Sequence, residues 1–160
     1  MESETYKSIF ENAKHDPTLF STIDIDTLLE KTENKSYLEN KTVADITKEL
    51  FESLCELNLT EDILNKCLKR LEEYRYVERV CDLVNGRLTC WIKRGQNPAV
   101  IKNGGILMNV NIEKNGVYIL CRNFGSHFSK AKFDDCLIFQ KMSMEEQLIL
   151  MANEYLEKQK

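Results

Sequence analysis

Two histidines, six cysteines and two adjacent carboxylate pairs are the residues whose types could do chemistry in this chain of 160 residues. A nucleophilic triad needs a base, which here means His15 or His127. His15 stands before Asp16-Pro17, where the residue preceding proline is pushed out of the α region and a helix must stop. His127 follows Phe124-Gly125-Ser126 in an expected turn. Ser126, its neighbour, points to the opposite face of any extended segment, which makes the two a poor catalytic pair. Cys121 or Cys136 would be the alternative nucleophile for His127, but both sit among apolar strand residues, where a thiol is buried and inert.

The six cysteines, Cys55, Cys67, Cys81, Cys90, Cys121 and Cys136, show neither a CxxC nor a regular spacing. They read as reduced core thiols rather than as zinc ligands or a disulfide framework. Asp134-Asp135 reads as a turn before a strand and Glu145-Glu146 as helix capping, not as acid–base pairs. The phosphate-cradling GxGxxG and GxxxxGK patterns and the zinc-binding HExxH are missing, and Gly104-Gly105 alone is a loop signal. The expectation is a non-enzymatic protein with no catalytic residue, no cofactor and no metal site.

Apolar residues make up 42% of the chain and charged ones 30%, with six Gly and two Pro, so a hydrophobic core is affordable without staples. Met1-Glu2-Ser3-Glu4 has neither the basic nor the apolar part of a secretory leader, and no apolar run approaches the ~20 residues of a bilayer crossing. These features predict a protein that is intracellular, in a reducing compartment, with no membrane partner. Abundant Lys, Asn, Ile and Glu suit an A/T-rich genome such as that of a large DNA virus or a protist.

The net charge of −4 hides an asymmetry. Residues 1–76 carry 17 acidic and 10 basic side chains, residues 77–142 carry 5 and 10, and residues 143–160 carry 4 and 2. Such a split either marks a surface that steers a charged partner or lets the two halves attract each other.

Helices are expected over residues 2–15 and near Asp26–Glu33. From Thr42 the pattern sharpens. Thr42 and Asp45 form a capping pair, and Val43, Ile46, Leu50, Leu54 and Leu57 recur at helical spacing. Asn58-Leu59-Thr60 breaks that helix, and Thr60 caps the next, whose core face is Ile63, Leu64, Cys67, Leu68 and Leu71. Tyr76–Val84 and Arg87–Lys93 flank Asn85-Gly86, which predicts a two-residue hairpin with Leu83 facing Leu88 and Cys81 facing Cys90. Trp91 then falls on the opposite face from Cys90 and Ile92, with Arg87 and Lys93. Asn115-Gly116 predicts a second hairpin in which Ile112 faces Ile119 and Val110 faces Cys121, with Asn109, Asn111, Tyr118 and Arg122 on the other side. Residues 95–105 read as a loop, His127–Phe133 and Cys136–Lys141 as strands, and Ser143 with Glu146 as the capping box of a last helix whose apolar arc is wider than one core face needs.

The expected fold is therefore α+β: one domain over 1–160, with a helical acidic part (1–76) on a small antiparallel sheet of four to six strands in a basic part (77–142), closed by a C-terminal helix (143–160). Two helices, a three-residue turn and an Asn-Gly hairpin give the order of elements of a winged helix-turn-helix. The solvent face of the second helix mixes Lys66, Lys69 and Arg70 with Glu61, Asp62, Glu72 and Glu73, so it is roughly neutral, which argues against duplex binding. The leading functional expectation is an interaction or assembly protein that binds another protein, or itself as a homo-oligomer, through Trp91, Arg87, Lys93, Arg94, Arg122 and Phe124, or through Ile149 of the last helix. The alternative is a nucleic-acid-binding protein that uses the basic sheet and its aromatics.

Overall fold

A computed structural model describes residues 36–159. The two helices expected before Thr42, and His15 with them, lie outside the described residues. The chain divides into two compact units, one holding the described residues 36–46 with 142–159, the other Thr47–Lys141.

Local capping signals hold wherever they can be checked. Helix α1 spans Val43–Cys55. Its Thr42–Asp45 pair is reciprocal: the Thr42 N–H donates to Asp45 Oδ2 at 2.9 Å and the Asp45 N–H to Thr42 Oγ1 at 3.3 Å. Asn58 takes a left-handed φ of 52° in the break. Thr60 Oγ1 then accepts from the Ile63 N–H at the start of α2, Glu61–Arg70. In the first unit, Ser143 Oγ accepts from the Glu146 N–H at 3.1 Å and opens α3, Met144–Gln159. Ile149 and Leu150 of α3 form a small core with Leu38, Ile46 and Met142, and Asn153 Nδ2 donates to the carbonyls of Leu38 and Lys41 at 3.0 Å each.

The second unit is built on six strands: β1 Tyr74–Val77, β2 Leu88–Lys93, β3 Ile101–Glu113, β4 Gly116–Arg122, β5 Phe128–Lys132 and β6 Cys136–Lys141. They form an antiparallel sheet in the order β1-β6-β2-β3-β4-β5. The expected α+β architecture, with an antiparallel sheet and a C-terminal helix, is what the chain adopts.

The hairpin at Asn85-Gly86 does not form. β6 lies between β1 and β2, pairing Tyr76 with Phe139 on one side and Cys90 with Phe139 on the other. A type I′ turn needs positive φ at both central residues, and only Gly86 has one, at 86°. The turn bonds instead to β3, the Gly86 N–H donating to Leu107 O at 2.8 Å. Leu137, Ile138, Phe139 and Gln140 of β6 are each at most 1% exposed, and a strand so buried needs a neighbour on both sides. That long-range pairing overrides the local turn, so Cys81 and Leu83 face neither Cys90 nor Leu88.

The second hairpin does form, with its turn at Lys114-Asn115, so that Glu113 pairs with Gly116, Val110 with Ile119 and Leu107 with Cys121. From Asn109 to the tip the register is two residues from the expected one, which keeps those side chains on their expected faces, while an irregularity between Leu107 and Asn109 turns Leu107 to the inner face. Ile112, however, lies near the hairpin tip and is 86% exposed, not in the core. The expected loop over 95–105 ends early, because β3 begins at Ile101 and runs through Gly104-Gly105 as an irregular stretch opposite Thr89/Cys90.

One face of the sheet packs Tyr74, Cys90, Ile92, Leu137 and Phe139 against Leu50, Leu54, Cys67 and Leu71 of the helical segments. The other face contributes a buried residue from every strand: Val77, Trp91, Leu107, Ile119, Cys121, Ala131, Cys136 and Ile138. Among the described residues, Leu83 and Phe133 of the connections pack against this second face, and the rest of its cover comes from the sheet itself. β5 and β6 stand four strand spacings apart, about 19 Å in a flat sheet. Only the short helical turn Phe133–Asp135 joins them, and four Cα steps reach at most about 15 Å. The sheet must curl around its inner face, leaving a seam along the free edge of β5.

All six cysteines are free thiols, but Cys55 and Cys81 are exposed rather than in the core. Burial pushes the Cys90 thiol up to about 12 and the Cys121 thiol up to about 11. Iodoacetamide at about pH 8 is expected to modify Cys55 and Cys81 and spare Cys67, Cys90, Cys121 and Cys136, read by peptide mass spectrometry. The folded state keeps protons that an unfolded thiol gives up near 9. Stability is thus fully present below about pH 9 and falls as pH rises toward about 12, which alkaline unfolding curves would show.

Candidate functional site

The inner-face residues nearest the seam line a groove of about 350 Å³. Its floor is Trp91, Ala131 and Cys136, all buried, and around them on the rim stand Lys93, Gln96, Val100 and Lys102, Lys130 and Lys132 of β5, and one carboxylate, Asp135. Alternation along β2 explains the floor: Cys90 and Ile92 face the helices, so Trp91 faces the inside of the curl. Gly104 is the packing partner that makes room for it, since a Cβ there would overlap the indole ring.

The four rim lysines are not equivalent. Lys130 Nζ pairs with Glu113 Oε1 at 2.6 Å and lies 4.4 Å from the centroid of the Tyr118 ring, so its charge is held on the outer face. The end of Lys132 lies beside Gly116, on the same outer side. Lys93 and Lys102 have no ion pair among the described residues, and Lys102 Nζ lies 5.9 Å from the Trp91 ring centroid. The Cys136 thiol senses these charges. Burial raises its pKa and Asp135 adds to that, while Lys93, Arg94 and Lys102 oppose it. A cationic, apolar-floored groove is what the arrangement provides, with space for an anionic ligand that also carries apolar groups.

The residues singled out from sequence divide on exposure. Trp91 is 4% exposed, so it forms the floor of a site and is not the open platform expected. Lys93 stands on the rim. Arg94 is tied down: its backbone N–H donates to Asp135 O at 2.9 Å, its guanidinium to Asp134 O at 3.0 Å, and Glu56 lies 3.7 Å away. Arg87 is half-buried, and its carbonyl accepts from the Leu107 N–H. Arg122 Nη2 donates to Ser126 Oγ at 3.0 Å in the turn that leaves Phe124 90% exposed. Ile149 is fully buried in the core of the first unit, which corrects its assignment to a partner surface. An Ile149→Glu change would unfold that core rather than detach a partner.

Sequence reading missed Val100, Ala131 and Phe128. Val100 and Ala131 belong to the groove only because the sheet curls. Phe128, 61% exposed, stands opposite Arg122 on the outer face, with the Leu120–Lys130 and Tyr118–Lys132 pairs following along the same face. His127 is exposed, with its backbone N–H bound to Asn123 Oδ1 at 3.1 Å as part of a tight turn. Among the described residues no group of three His, Cys, Asp or Glu could hold a metal ion, and no helix is long and apolar enough to cross a membrane. Compared with known proteins, the chain matches no family model, no curated protein and no solved structure.

Proposed function

We propose that this chain is a non-enzymatic interaction module that binds a segment of another protein in the groove over Trp91. The observation that supports it is the combination of an apolar floor, Trp91, Ala131 and Cys136, with two cations above it, Lys93 and Lys102, that make no ion pair among the described residues. Lysines there select an acidic partner and speed its approach, and the floor supplies apolar burial. The thiols near the groove are poor nucleophiles, because burial raises both Cys121 and Cys136. The partner binds at the seam and not through α3, whose Ile149 is core. Free cysteines are compatible with a reducing compartment.

A second reading has its own observation. Arg122 and Phe128 are cross-strand partners on the outer face, with Lys130, Tyr118 and Lys132 further along it, and exposed aromatics among cations can stack the bases of a single strand. The winged-helix version of nucleic-acid binding loses its hairpin and is not carried further.

The double variant Lys93→Glu/Lys102→Glu separates the two. With a labelled acidic peptide, fluorescence anisotropy should show at least about a tenfold loss of affinity for this variant. The outer-face variant Arg122→Glu should bind the peptide within about twofold of the unmodified chain. The opposite ranking, with oligo(dT) bound in preference to peptide, would transfer the function to the outer face.

A further inference from the structure

Among the described residues, β5 is the last strand of the sheet and pairs only with β4. The alternation of its hydrogen bonds follows from the turn: the Asn123 N–H donates to His127 O at 3.0 Å, and His127 directly precedes β5. Counting on in steps of two, Ser129 and Ala131 exchange their bonds with Cys121 and Ile119. Phe128, Lys130 and Lys132 therefore turn their N–H and C=O groups to the open edge, and that edge borders the groove, since Lys130, Ala131 and Lys132 line it. An unpaired strand edge invites another strand, and lysine side chains on it repel most neutral or basic ones.

Resting on the groove reading above, we infer that the partner segment is an extended acidic peptide that adds as a seventh strand to the free edge of β5. Two observations join here, an open set of backbone donors and acceptors on Phe128, Lys130 and Lys132, and charge on both sides of the slot. In an added strand alternate side chains point to opposite faces. One set meets the apolar floor of Trp91, Ala131 and Cys136, with Val100 at its rim. The other lies on the side of Lys130 and Lys132, where acidic residues complement the edge and compete with Glu113 for Lys130. Lys93 and Lys102 face the peptide from the far rim. β5 is five residues long, so the matched core of the peptide is about five residues, roughly 17 Å of extended chain. Backbone bonds supply affinity and the alternating pockets supply specificity, as in other cases of strand addition.

The experiment uses the full chain and a synthetic peptide of roughly ten residues alternating Glu and Val, with oligo(dT) as the competing polyanion. Backbone N-methylation removes the N–H of every second peptide residue. Methylation in one register should weaken binding at least about tenfold, while the same methyls moved by one residue should be tolerated, because those N–H groups face solvent. Hydrogen exchange at the Phe128, Lys130 and Lys132 amides should slow in the complex. In the protein, Lys130→Pro removes an outward N–H without touching the β4 ladder and should abolish binding, whereas Lys130→Ala should keep it within a few fold.

Equal binding of both methylated registers, with no change in exchange, overturns strand addition. If Lys93→Glu/Lys102→Glu still abolishes binding in that case, the groove reading stands and only the mode is wrong. If the peptide fails to bind at all, or oligo(dT) displaces it from an unprotected β5, both readings fall together.

Discussion

Replacing Gln140 by Leu should lower the unfolding free energy by about 4 kcal/mol, the largest loss expected from any single polar residue of the sheet. Gln140 is fully buried. Its Oε1 accepts from the Val84 N–H at 2.9 Å and from Arg75 Nη2 at 3.2 Å, and its Nε2 donates to Val84 O at 3.0 Å and Thr89 Oγ1 at 3.1 Å. The amide thus completes both backbone groups of Val84 in the irregular connection between β1 and β2, a connection that exists because β6 has displaced the hairpin. Leucine fills the same volume but strands a backbone donor, a backbone acceptor and one contact of a buried guanidinium, each worth about 1–3 kcal/mol. Urea denaturation is the readout, and a change below about 1 kcal/mol would show that water satisfies this network.

Gly104→Val should be nearly as damaging, and more so for the site. A Cβ at Gly104 meets the Trp91 ring and stands 3.2 Å from the Cys121 Cβ, while the next residue, Gly105, holds a φ of 96° against the Arg122 carbonyl. Backbone on one side and a close-packed core on the other leave the side chain nowhere to relax, so overpacking should cost about 3 kcal/mol or more. Trp91 is the chain's single tryptophan, so its expulsion would be seen as a red shift of the emission. Adding Trp91→Phe, whose smaller ring vacates the clash, should recover part of the lost stability in a thermal melt. No recovery would locate the strain in the backbone rather than at the indole.

These two residues also show where sequence reading stops. Thr42 with Asp45, Thr60, and Ser143 with Glu146 were legible because a cap is a contact over three residues. The apolar stripes of α1 and α2 were legible for the same reason, their period being local. The β3–β4 hairpin was legible as a hairpin, and its two-residue register error left the faces intact from Asn109 to the tip since side chains alternate with period two, whereas the irregularity that turns Leu107 inward has no local signal. Asn85-Gly86 failed because its alternative partner, β6, is about 50 residues away and nothing in the local pattern announces it. Trp91 carried the same ambiguity. Its face was correctly opposite to Cys90 and Ile92, but whether that face is solvent or core depended on a curl set by the three-residue link between β5 and β6. Ile149 was misread because a wide apolar arc looks the same whether a core or a partner covers it. Lys93 was legible as a candidate from charge alone, whereas its pairing with Lys102 over a buried floor required the register of β2 against β3, in which Trp91 lies opposite Lys102.

The central claim, that the groove over Trp91 is the interaction site, is tested most directly by following backbone amide and Trp91 indole signals by NMR while an acidic peptide is titrated in. The account predicts that Trp91, Lys93, Val100, Lys102 and the β5 edge from Phe128 to Lys132 shift together and saturate, while α2 and Asn109 stay still. Shifts confined to Tyr118, Arg122 and Phe124, or no saturable shift at Trp91 and Lys102, would contradict it.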